Sequence, residues 1–117
     1  RMDLRLSLPE QPIEVLADAL SLREAAKNLL MNAILHGRPP IRIAVQEDAG
    51  HAALSVQDAG PGPAAGGAGQ RKGAGIGLQI VRAVMTAHGG ELIERPLPRG
   101  HEAVMRLRSA SQGGDAT

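Results

Sequence analysis

Between residues 58 and 77 the chain carries eight of its fifteen glycines, together with Pro61 and Pro63. Such a stretch has too little side-chain volume to be packed against and loses too much backbone entropy when ordered. It reads as a mobile loop, so whatever folds in these 117 residues must be built from the segments on either side. That length allows one domain with a modest core. Apolar residues make up 43%, yet Phe, Tyr and Trp are absent, so the core comes from Leu, Ile, Val, Ala and Met. Without aromatic platforms there is no base stacking, and a net charge of +1 with scattered Lys and Arg gives no nucleic-acid footprint. The lack of Cys excludes disulfides, thiol catalysis and Cys-based zinc sites, and fits a reducing cytoplasm. No apolar run approaches membrane-spanning length and the first residues do not form a signal peptide, so no direct membrane contact is expected. The chain opens on Arg1 directly before a strand-like pattern, as a domain excised from a longer protein would.

Residues 2–8 alternate apolar and polar as a half-buried strand does, and Pro9 and Pro12 end it. Residues 13–16 form a second short strand. Ser21 and Glu24 match a capping box. The helix that follows carries Leu22, Ala25, Ala26, Leu29, Leu30, Ala33 and Ile34 on its apolar side, and Gly37 with Pro39 and Pro40 stops it. Segments 41–45 and 53–56 read as paired strands joined by a turn around Asp48-Ala-Gly50. A second helix spans about 76–88 and ends at Gly89-Gly90. Two closing strands, near 91–94 and 101–107, are bent apart by Pro96, Pro98 and Gly100. The expected fold is α+β: a two-layer sandwich with helices on one face of a mixed, mostly antiparallel sheet. Residues 1–108 make the domain, and the polar, small-residue segment 109–117 is a disordered tail.

Three motifs carry chemistry. Asn28 and Asn32, four residues apart, lie on one face of an otherwise apolar helix, where a carboxamide is costly to bury without partners. Their oxygens are hard, neutral ligands suited to Mg²⁺ that already carries phosphate oxygens; equally, both could cap backbone groups of a neighbouring loop. Next, a strand runs straight into Asp58-Ala-Gly60-Pro-Gly62. An acceptor-only carboxylate there can take a hydrogen bond from an amino group such as the exocyclic amine of adenine, and glycines let backbone approach a flat ring. An ordinary turn is the alternative. Last, Gly73-Ala-Gly75-Ile76-Gly77-Leu78 opens the second helix, where freed N–H groups and the helix dipole favour an anion. A flexible linker would also fit. Its spacing is not a Rossmann fingerprint, and Gln70-Arg71-Lys72-Gly73 lacks a Walker A ending.

In this order and spacing, the three motifs closely resemble the N, G1 and G2 boxes of the catalytic ATP-binding domain of sensor histidine kinases, in the GHKL superfamily with its Bergerat fold. The resemblance covers roughly residues 3–108. It implies that Asn32 ligates Mg²⁺, that Asn28 stands near the phosphates as the catalytic-site residue, and that Asp58 binds the adenine amine with Gly60 and Gly62 lining its pocket. Gly73, Gly75 and Gly77, with Ile76, Leu78, Arg71 and Lys72 beside them, would form the lid hinge and phosphate cradle, and His36 would sit near the site. It further implies ATP and Mg²⁺ as cofactors and phosphoryl transfer to a histidine on a separate dimerisation domain. A response regulator would act downstream, and the domain would lie in the cytoplasm as part of a larger kinase, membrane-anchored or not.

Gyrase-type and chaperone ATPases carry a Glu where Asn28 stands. Asn cannot remove a proton, which favours transfer over hydrolysis and counts against an anti-sigma-factor serine kinase. Three departures from the family pattern stand out. Leu35 occupies a position that is often Lys, leaving Arg38, or Arg71 and Lys72, to supply the cation. The short 58–73 segment has no Phe, hence no F box. None of His36, His51, His88 and His101 is in a phosphoacceptor context, so the chain alone is expected to be inactive. A degenerate, non-catalytic nucleotide-sensing domain acting as a regulatory module is the alternative reading.

Overall fold

A computed structural model describes residues 3–60 and 74–110. Five strands and two helices follow in the order β1 (Leu4–Ser7), α1 (Ala19–His36), β2 (Ile41–Asp48), β3 (His51–Asp58), α2 (Ala74–Ala87), β4 (Glu91–Leu97) and β5 (Gly100–Arg108). The strands form one sheet in the order β1-β2-β3-β5-β4. β1 and β2 are parallel, joined by the crossover through α1, and every other pair is antiparallel. Both helices lie on one face, α1 over β3 and α2 over β4 and β5, with α1 and α2 packed side by side. This is the α+β two-layer arrangement expected from the sequence.

The core is aliphatic throughout. Alternate sheet residues Ile41, Val56, Leu92, Ala103, Met105 and Leu107 face Ala25, Leu29 and Ala33 of α1 and Leu78, Val81 and Met85 of α2. The spacing of the helix residues keeps each set on one stripe, and each fully buried large side chain contributes about 1.5–3 kcal/mol. Val104 is also buried but lies outside this cluster, on the open face of the sheet opposite Ser55 and Ile93.

Several local expectations are corrected. The cap of α1 is Asp18 rather than Ser21: one carboxylate oxygen accepts from the Ser21 N–H at 2.8 Å and the Ser21 hydroxyl at 2.6 Å. A carboxylate that takes both groups outcompetes the Ser-x-x-Glu pattern, and the helix starts earlier. β1 is not half-buried; Leu4 and Leu6 are 47% and 64% exposed, because β1 is an edge strand that neither helix covers. Residues 13–16 contribute a single bridge, Val15 to Ser109, instead of a strand. Ser109, expected to begin a disordered tail, is 1% exposed, and its N–H and hydroxyl donate to Gly50 O. The closing strands form one continuous hairpin paired from Glu91–Arg106 to Leu97–Gly100. Pro96 is tolerated because β4 is an edge strand.

Candidate functional site

The α1 stripe that faces α2 and the end of β3 carries the two asparagines. Asn32 is buried and Asn28 half-buried, one turn apart. The Asn28 amide donates to Glu24 O at 2.8 Å. Its Oδ1 faces the first turn of α2, where a Cβ built on Gly77 would stand 3.6 Å away. The neutral carboxamide oxygen of Asn28 and the start of α2 thus border the same space. His36, the last residue of α1, is half-buried at the far end of this stripe.

Asp58 closes β3, only 4% exposed. Its Oδ1 accepts the Gly60 N–H at 2.8 Å, an Asx-type turn that folds the chain back over the carboxylate. The Ala59 N–H donates to Arg38 O at 2.8 Å, tying this turn to the segment after α1. Gly37 lies directly against the carboxylate: a Cβ there would overlap the carboxyl carbon and stand 2.5 and 2.6 Å from its two oxygens. A Cβ on Gly60 would crowd the same oxygen, the Gly37 Cα and the Arg38 nitrogen at 3.0–3.2 Å. On the other side, Gly100 (φ +123°) presses its backbone against the Asp58 carbonyl in a conformation that favours glycine.

Of the residues singled out by sequence, the structure brings Asn28 to Gly77 and Asp58 to Gly60. The Leu78 side chain belongs to the apolar core instead of lining an opening. Gly75 and Ile76 lie within the first turn of α2. Gly62, Arg71, Lys72 and Gly73 lie outside the described residues. Leu35, at the position often held by Lys, points to solvent at 67% exposure, and the Arg38 side chain is exposed beside the Asp58 turn. Gly37 and Gly100 border Asp58, although the sequence marks them only as a helix stop and a strand bend. Their contacts with Asp58 join distant parts of the chain, and no local pattern announces them.

The described residues hold no group of three or more His, Cys, Asp or Glu able to bind a metal unaided. The donors that this stripe of α1 carries are the Asn28 and Asn32 carboxamides, hard and uncharged. That fits a Mg²⁺ ion whose charge is met by phosphate oxygens and whose shell keeps several waters.

Residues 17–111 match the family described as histidine kinase-, DNA gyrase B-, and HSP90-like ATPase. The chain belongs to this family. It is 37% identical to the signal transduction histidine-protein kinase/phosphatase MprB of Mycolicibacterium vanbaalenii, over 86% of this chain and 24% of that protein. It therefore spans about a quarter of the length of that relative. Among solved structures it resembles a mycobacterial sensor histidine kinase MprB at 30% identity and a TM-score of 0.67, covering 92% of this chain and 83% of that one. It also resembles full-length ShkA in complex with AMPPNP at 25% identity and a TM-score of 0.74, over 92% of this chain and 26% of that one. Among the described residues no helix is long and apolar enough to cross a membrane.

Proposed function

We propose that this chain is the ATP-binding catalytic domain of a sensor histidine kinase, binding Mg·ATP and presenting the γ-phosphate to a histidine on a separate dimerisation domain, with a response regulator as the downstream partner. The observation that carries the reading is the corner around Asp58. A buried carboxylate ends a central strand, and it is flanked by the bare backbone of Gly37 and Gly60. An acceptor held in this way selects an amino-bearing base edge, and bare backbone leaves room for a flat ring. ShkA, a structure of the same fold, was solved in complex with AMPPNP, which supports a nucleotide as the ligand.

The phosphates would extend from Asp58 along the α1 stripe toward the first turn of α2. There the first-turn N–H groups and positive dipole end of a 14-residue helix favour an anion, and that turn carries no acidic side chain. Asn32 would hold the Mg²⁺, which when bound neutralises phosphate charge and orients the γ-phosphoryl group. Asn28 keeps its oxygen toward Gly77 by donating its amide to Glu24 O, so it can order a bound water without deprotonating it. With a carboxamide at that point there is no base to drive hydrolysis, and transfer to an incoming imidazole is favoured. Arg38, exposed next to the turn, is a described cation that would stand in for a lysine at position 35.

Calorimetric titration with AMPPNP, with and without Mg²⁺, tests the reading. Binding should be strengthened by the metal, weakened about tenfold or more in Asp58→Asn, whose oxygen would stay with the Gly60 N–H and turn an NH2 donor toward the amine, and changed in its metal dependence in Asn32→Asp. A chain that binds no nucleotide at millimolar concentration would refute it.

A further inference from the structure

Among the described residues, two ionisable side chains are buried to below 5% exposure: Asp58 at 4% and His101 at 2%. They are direct cross-strand partners in the β3–β5 ladder. Opposed residues of this kind share a face of the sheet, with Cβ atoms about 4.5–5.5 Å apart. Burying either group is unfavourable unless its surroundings answer its polarity, so their adjacency calls for a reason. His101 is further held from the opposite flank. Its Nε2 lies 3.5 Å from Oε1 of Glu94 on β4, longer than a hydrogen bond but close enough for strong attraction when the ring is protonated. The second oxygen of Glu94, Oε2, accepts from Arg82 of α2 at 2.8 Å. Arg82, Glu94, His101 and Asp58 thus form a line of alternating character from the outer surface of α2 to the corner beside Gly37 and Gly60.

We infer that His101 is a positioning residue for Asp58. Glu94, itself held by Arg82, fixes the imidazole behind the carboxylate. The imidazole and the Gly60 N–H together set the carboxylate's orientation and charge, leaving an acceptor edge turned toward the base. This deepens the nucleotide reading and rests on Asp58 being the group that recognises adenine. A histidine that only filled core volume would affect stability; a positioning histidine affects which base is preferred.

The measurement is the affinity ratio, by calorimetry on the 117-residue chain, of ADP to the diphosphate of purine riboside, which lacks the 6-amino group. The unaltered chain should prefer ADP, and Asp58→Asn should abolish the preference. If Asp58→Asn leaves the ratio unchanged, the adenine reading itself fails and the role of His101 falls with it. Given a working Asp58, His101→Leu should reduce the ratio about fivefold or more, and Glu94→Gln should reduce it in the same direction. Should His101→Leu not fold, Glu94→Gln, on an edge strand with a partly exposed side chain, carries the test alone. Ratios within about twofold of the unaltered chain in the variants that fold, with Asp58→Asn inactive in discrimination, would overturn the inference.

Discussion

The Asp58 carboxylate takes the Gly60 N–H on one oxygen and lies against the bare backbone of Gly37. Gly37 was legible only as a helix terminator. Its second role, standing flat against the Asp58 carboxylate, is a contact between the end of α1 and the end of β3 that only the folded chain makes. The steric argument at Gly37 is independent of backbone conformation, since its φ of −100° is open to any residue. Gly37→Ala should therefore leave α1 intact and drive the carboxylate out of place. Nucleotide affinity should fall about tenfold or more with helical circular dichroism unchanged. Wild-type affinity in this variant would mean that the carboxylate has room to move and that its present orientation is not what binds.

Element by element, the sequence located both helices and the strands β2, β3, β4 and β5, because period and turn chemistry agree there. It misplaced what depends on competition or on tertiary cover. Asp18 and Ser21 are both good caps, and only the geometry decides between them. In the structure Asp18 also donates its N–H to Nε2 of His88 at 3.1 Å, while Nδ1 of His88 bonds Val84 O at 2.7 Å. The two bonds are met together by the tautomer with its proton on Nδ1, and they lock the start of α1 to the end of α2. The Ser21 hydroxyl, then the Ser21 N–H, hold the Asp18 carboxyl below its ordinary value of 3.8. A folded-state pKa below the unfolded one gives stability that is full above 3.8 and is lost as the pH falls through the lowered value. Asp18→Ala should thus lower the melting temperature by roughly 5 °C near neutral pH. The gap should close on acidification below 3.8; a gap that persists in strong acid would assign the loss to something other than the charged cap.

At the scale of the whole molecule, two helices cover the centre and one side of a five-stranded sheet, leaving β1 without a second layer among the described residues. The alternation in residues 2–8 suggested a buried face there because periodicity reports which side chains could be buried, not whether anything lies above them. The two leucine environments should differ sharply. Leu29, among the fully buried side chains between α1 and the sheet, should cost about 2.5–4 kcal/mol when cut to Ala. Leu6→Arg, on the uncovered strand, should change stability by less than about 0.5 kcal/mol. Denaturant titration of the two variants measures both, and equal losses would place Leu6 in a core that the described residues do not form.

The glycines around Asp58 have one more consequence. Gly37 and Gly100 each border this residue where an added methyl would collide with it, and a methyl on Gly60 would crowd its carboxylate at 3.0 Å. The corner is therefore defined by atoms that are missing, and every substitution at these positions can only add matter. Such a site has no graded series of slightly larger or smaller variants. Its mutational landscape is a step, so drift in this pocket should show itself as abrupt loss of function instead of gradual change in preference.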